Sequence, residues 1–139
     1  MKRKNILLAA IVATSAALPL KAEQFTTAAE VRPILEATRA NWVAVREYDG
    51  QDLLYFTHLM AWRCGLEAIY YRVNGGDESI WLGEECHEGD TQPNAILSQN
   101  LLPFVAFPLK SIETVAVRLV YDDGEEAIAD YTRQAIMTP

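Results

Sequence analysis

Three short clusters of turn-forming residues divide most of this chain into pairs of strand-like runs, and that punctuation constrains the fold more than any other feature. Asp49-Gly50 separates the runs 43–48 and 53–64, Asn74-Gly75-Gly76-Asp77 separates 67–73 and 79–82, and Asp122-Asp123-Gly124 separates 114–121 and 126–131. The runs are rich in β-branched and aromatic residues, and each cluster supplies the Gly or Asn that a turn with positive φ requires. Three hairpins predict an antiparallel sheet. In the run 53–64, Leu54, Phe56, His58, Met60, Trp62 and Cys64 recur at every second position, so a continuous strand would place them on one face. Val115, Val117, Leu119 and Tyr121 alternate in the same way and form the other expected core face.

Between the second and third hairpins lies the apolar run Leu101–Leu109, with Pro103 and Pro108 near its two ends. Proline cannot donate to a β-ladder, so this segment is expected at a sheet edge or across a sheet end. Ahead of the hairpins, Thr27 and Glu30 have the spacing of a capping box and predict a helix start. Pro33 follows closely, which predicts either a start nearer Glu30 or an early kink. Val31, Ile34, Leu35, Thr38 and Trp42 recur at helical spacing as one apolar stripe. The expected fold class is therefore α+β: an N-terminal helix packed on a six- or seven-stranded antiparallel sheet, one able to curl into a small β-sandwich or half-barrel.

The first residues follow the grammar of a secretory signal. Three cations, Lys2, Arg3 and Lys4, precede an apolar run from Ile6 to Ala17 and a short segment ending at Ala22. That run is about a dozen residues, whereas a helix needs about twenty to span a bilayer, so a permanent membrane anchor is not expected. Cleavage is expected after Ala22, with Ser15-Ala16-Ala17 as a competing site, leaving residues 23–139 as a single globular domain without repeats or linkers. Four of the twelve cations leave with residues 1–22 and none of the nineteen acids does, so eight cations remain against nineteen acids, a net charge of −11. Such a surface disfavours nucleic acid and anionic lipid as partners and favours either a cationic protein partner or none, the charge then serving only to keep the protein soluble. Localisation is expected to be periplasmic or secreted.

Cys64 and Cys86 are the two cysteines of the chain, and in an oxidising compartment they are expected to pair. In the chain-entropy account, closing a loop of this length stabilises a fold by about 3 kcal/mol.

No coherent catalytic set stands out, and no cofactor is implied. Ser79, Ser98 and Ser111 sit in contexts unlike a nucleophile elbow, and Gly75-Gly76 is explained by its hairpin rather than by a phosphate loop. The densest polar cluster runs from Glu84 to Asp90. It reads as a solvated loop tied down by the disulfide, and alternatively as a metal site using His87, Glu85 and Asp90, although it lacks the spacing of a calcium loop or a zinc helix. His58, flanked by apolar neighbours in register, reads as a hydrogen-bonded strand or core residue.

Two functions follow as expectations. The first is a non-catalytic envelope or secreted binding module, with Trp81 and Tyr71 as exposed aromatic contacts and Phe104 and Phe107 on the edge segment. The alternative is a small exported hydrolase or metal-dependent enzyme that uses His58, His87 and nearby carboxylates.

Overall fold

The computed structural model describes residues 8–16 and 24–139. Residues 8–16 are exposed and carry no regular secondary structure. The cationic head Lys2–Lys4 and the expected cleavage point after Ala22 lie outside the described residues.

Helix α1 spans Ala28–Ala37 and starts with the expected capping box: the Thr27 hydroxyl accepts from the Glu30 amide at 3.3 Å, and the Glu30 carboxylate accepts from the Thr27 amide at 3.2 Å. Its N-terminus also docks on the distal hairpin, because the Ala28 amide donates to Asp122 Oδ1 at 2.8 Å. The helix begins at Ala28 rather than nearer Glu30 and carries Pro33 inside it. Pro33 removes one backbone donor, and the capping box together with the burial of Ala28, Val31 and Leu35 offsets that loss. Trp42 joins the same core from beyond the helix end and donates its indole N–H to the Leu35 carbonyl at 2.8 Å.

Seven antiparallel strands follow, in two sheets rather than one. The first sheet has the order β1 (Ala44–Tyr48), β2 (Gln51–Tyr55), β5 (Phe104–Pro108). The second has the order β4 (Ser79–Ile80), β3 (Leu66–Val73), β6 (Thr114–Tyr121), β7 (Glu126–Thr132). All three turn clusters close hairpins, and Asp49, Gly50, Asn74, Gly75 and Gly124 adopt the positive φ that their side chains tolerate. The run Leu101–Leu109 supplies β5, an edge strand as expected, paired with β2. On β6 the expected alternation holds: Val115, Val117, Leu119 and Tyr121 are buried.

The run 53–64 is not one strand. Strand β2 ends at Tyr55, and the chain turns through a one-turn helix α2 (Thr57–Met60) and a 3₁₀ turn at Arg63–Gly65. The residues Leu54, Phe56, His58, Met60, Trp62 and Cys64 therefore do not share a face. The physical reason is a coincidence of periods, since Phe56 and Met60 fit period two and also the i, i+4 spacing of a helix. The helical pairing wins, with the Met60 amide donating to the Phe56 carbonyl at 3.0 Å and Leu59 buried beside them. Gly65 closes this connection against α1, where a Cβ would come within 2.7 Å of the Thr27 carbonyl oxygen and collide with Val31. The bend lets the chain leave the first sheet and start the second.

Both sheets feed one core. Val45 and Leu54 of the first sheet pack in the same cluster as Ile69, Val115, Val117 and Leu119 of the second, with Val31, Leu35 and Trp42 from the helical side. Each fully buried branched side chain there contributes about 1.5–3 kcal/mol. A buried carboxylate ties the two sheets together at one end. Asp52 on β2 is fully buried and accepts from the Lys110 and Ile112 amides at 2.9 and 3.1 Å and from the Arg133 guanidinium. Arg133 opens the short helix α3 (Arg133–Ile136) after β7 and also reaches Glu47 at 2.8 Å. The Arg133 pairing, assisted by the two amides, holds the Asp52 carboxyl at about 2.

Candidate functional site

Between β4 and β5 the chain runs for 23 residues, Trp81 to Pro103, without helix or strand. Connections of that length inside a compact domain are uncommon and are generally either disordered or functional. This one is held in place by buried polar groups and the disulfide. Cys64 and Cys86 are bonded, with their Cα atoms 5.0 Å apart. Beside them Arg63, whose side chain is 7% exposed, points its guanidinium into the loop. One terminal nitrogen donates to the carbonyls of Met60 (2.9 Å) and Asn94 (2.7 Å). The other donates to the carbonyls of Glu85 (2.8 Å) and Ala95 (3.0 Å) and to the Glu84 carboxylate (3.2 Å).

Glu84 is the counterpart. Its side chain is 5% exposed, so within the Glu84–Asp90 cluster, expected as a solvated loop, the first residue is a buried anion. The Leu97 amide donates to it at 2.9 Å, and the Ser98 amide and the His87 imidazole (2.8 Å) add to that contact. The Leu97 amide is the leading cause, with His87, Ser98 and Arg63 behind it, that holds the Glu84 carboxyl at about 2 against the cost of burial. Asn94 completes the brace: its side-chain Oδ1 accepts from the Cys64 amide at 2.9 Å while its side-chain Nδ2 donates to the Phe25 carbonyl at 2.9 Å. Residues before α1, in the turn after α2 and on both limbs of the loop thus converge on three polar side chains.

This framework holds apolar side chains in solvent. Leu82 is 77% and Leu97 65% exposed, with Ile80, Ile96, Leu101 and Leu102 also exposed along the same segment. Carboxylates flank them. Glu67, Glu85, Glu88 and Asp90 form no ion pair with a cation of the described residues, whereas Arg118 is paired with Glu78 and Glu126 and Arg32 with Asp123 and Glu125. A cleft of about 260 Å³ opens between β3 and residues 80–86. Met60, Ile69 and the Arg63–Glu84 pair lie buried at its floor, and Ile80, Leu82, Glu67 and Glu85 are exposed at its rim.

Of the expected aromatic contacts, Trp81 and Tyr71 are less exposed than expected, while Phe104 and Phe107 lie on the edge strand. Trp81 is half-buried and stacks on Phe56 with ring centroids 4.3 Å apart, and Tyr71 meets Phe56 edge-on at 5.0 Å. Both buttress the core rather than stand free, because Phe56 offers an apolar platform that two rings can share. Phe104 lies against Tyr55 at 5.2 Å, and Phe107 packs on the core from the edge strand.

The two histidines have separate tasks. Thr38 Oγ1 directs its single proton to the Ile34 carbonyl (2.7 Å), so it accepts from His58 Nε2 at 2.8 Å, and burial lowers the His58 pKa, favouring the uncharged ring. His87 instead pairs with Glu84. They share no hydrogen-bond partner. Among the described residues no three of His, Cys, Asp and Glu converge closely enough to hold a metal ion. Of the set His87, Glu85 and Asp90, the imidazole is turned to Glu84, while Glu85 and Asp90 are exposed in the loop. Among the described residues no helix is long and apolar enough to cross a membrane. Compared with protein-family models, curated proteins and solved structures, the chain matches none.

Arg63, Glu84, Asn94, Leu82 and Leu97 did not stand out in the sequence. The available signal was indirect: an arginine directly before one cysteine and a glutamate two residues before the other, on two segments that the disulfide brings together.

Proposed function

We propose that the chain is exported to a periplasm or the extracellular space with loss of residues 1–22, and that residues 23–139 act as a non-catalytic binding module for a cationic protein. The observation that carries this reading is the exposure of Leu82 and Leu97 on a long loop braced by a buried ion pair and a disulfide, between carboxylates that no cation of the described residues neutralises. Rigid apolar contacts surrounded by uncompensated charge suit protein recognition, with the charge steering encounter and the apolar groups supplying affinity. The buried polar residues contribute here through scaffold hydrogen bonds, which supports binding over catalysis. Trp81 and Tyr71 serve as the backing of this surface, and the edge strand with Phe104 and Phe107 adjoins it in sequence.

Photo-crosslinking tests the reading. A crosslinking residue at position 82 should yield a discrete protein adduct in envelope extract at low salt, less at high salt, and none when moved to position 113, exposed just before β6. Equal adducts from both positions, or none from either at any ionic strength, would overturn it. Intact mass of the natively produced protein should show residues 1–22 absent and two hydrogens fewer than the dithiol form.

A further inference from the structure

We infer that the cleft between β3 and residues 80–86 seats one basic side chain, lysine or arginine, presented by an extended segment of the partner, an inference that rests on the cationic-partner reading above. Size is the first argument. At about 260 Å³ the cleft lies below the range of about 300–1,000 Å³ that small-molecule sites occupy, and it suits one long side chain. Chemistry is the second. Leu66, Ile80 and Leu82 line the cleft with apolar surface, while Glu67 and Glu85 stand exposed at the rim without a cationic partner among the described residues. Lysine and arginine carry an apolar stem and a charged head and lay the first on hydrocarbon while the second stays near water and carboxylates.

The floor fixes the orientation of the guest. Arg63 is already there, paired with Glu84, so a second cation pushed to the bottom would meet a buried like charge. The guest side chain therefore lies along the cleft, with its stem on the apolar walls and its head returning to Glu67 and Glu85. An acidic guest meets two rim carboxylates, and a short neutral one leaves the walls uncovered. The neighbouring strand β4 is two residues long and stands at the end of its sheet, so an extended guest backbone can run beside it.

The test uses blocked hexapeptides of alternating valine with lysine, glutamine or glutamate, titrated into the disulfide-bonded mature protein at low salt and followed by amide shifts in two-dimensional NMR. The lysine peptide should saturate shifts at Ile69, Trp81 and Gly83, and the glutamate peptide should leave them unmoved. The double variant Glu67→Gln, Glu85→Gln removes two exposed charges without touching the core, and it should weaken the lysine peptide by about fivefold. Lysine-peptide binding that is unchanged in the double variant, or that shifts residues elsewhere, overturns the cleft and leaves the cationic-partner reading standing. No saturable shift with any peptide likewise overturns the cleft, while the crosslink at position 82 independently decides whether a partner binds at all.

Discussion

The β3–β6–β7 sheet and the loop Trp81–Pro103 are fixed by opposite means. In the sheet, every second residue of β6 goes inward and many small apolar contributions add up, so no single side chain decides the outcome. In the loop most residues are exposed, and three polar side chains, Arg63, Glu84 and Asn94, satisfy the backbone that regular structure would otherwise satisfy. The sheet's order is distributed and tolerant. The loop's order is concentrated and brittle, because each buried charge is costly once its partner is gone. That brittleness brings a property the sheet lacks: a long, irregular surface can be rigid and still leave its leucines outside.

Substitutions in the two regions should separate the two kinds of order. Arg63→Met should cost about 3–5 kcal/mol in urea unfolding, since it strands the buried Glu84 carboxylate; a loss below about 1 kcal/mol would mean the loop is decoration on a sheet that carries all the stability. Leu119→Ala, the sheet's counterpart, should cost about 2–5 kcal/mol through a core cavity. The pair Cys64→Ser, Cys86→Ser should cost about 3 kcal/mol and raise loop exchange before sheet exchange.

Acid should find the same division. Asp52 and Glu84 both have carboxyls held at about 2, below their unfolded values of 3.8 and 4.5, so the stability they confer is complete above about pH 5 and is lost as pH falls toward 2. Thermal unfolding followed from pH 7 to pH 2 should be flat at first and then descend; a decline already present between pH 7 and 6 would assign the control to another group. The smallest effect is expected for Leu82→Ser, under about 0.5 kcal/mol because the side chain is exposed.

What could be read in the residues divides along the same line. Features set by neighbours in sequence were legible: the capping box at Thr27 and Glu30, the positive-φ turns at Asp49-Gly50 and Asn74-Gly75, and the alternation of β6. The Cys64–Cys86 pairing was legible because no other choice existed. The run 53–64 misled because Phe56 and Met60 satisfy two periods, and only packing around Leu59 selects the helical one. The split into two sheets depends on β2 pairing with β5, some fifty residues away along the chain, which local pattern does not encode. The brace was invisible for a related reason: Glu84 and Glu85 look alike as letters, yet one is buried against Arg63 and the other faces solvent.

Glu84 fixes the loop from inside, and because the Leu97 and Ser98 amides both donate to its carboxylate, their hydrogen exchange reports on that grip. Protection at these amides should approach that of β6 at neutral pH and fall to that of open peptide in Glu84→Ala, which removes the acceptor altogether, while β6 stays protected. Fast exchange at Leu97 and Ser98 in the unaltered, disulfide-bonded protein would contradict it.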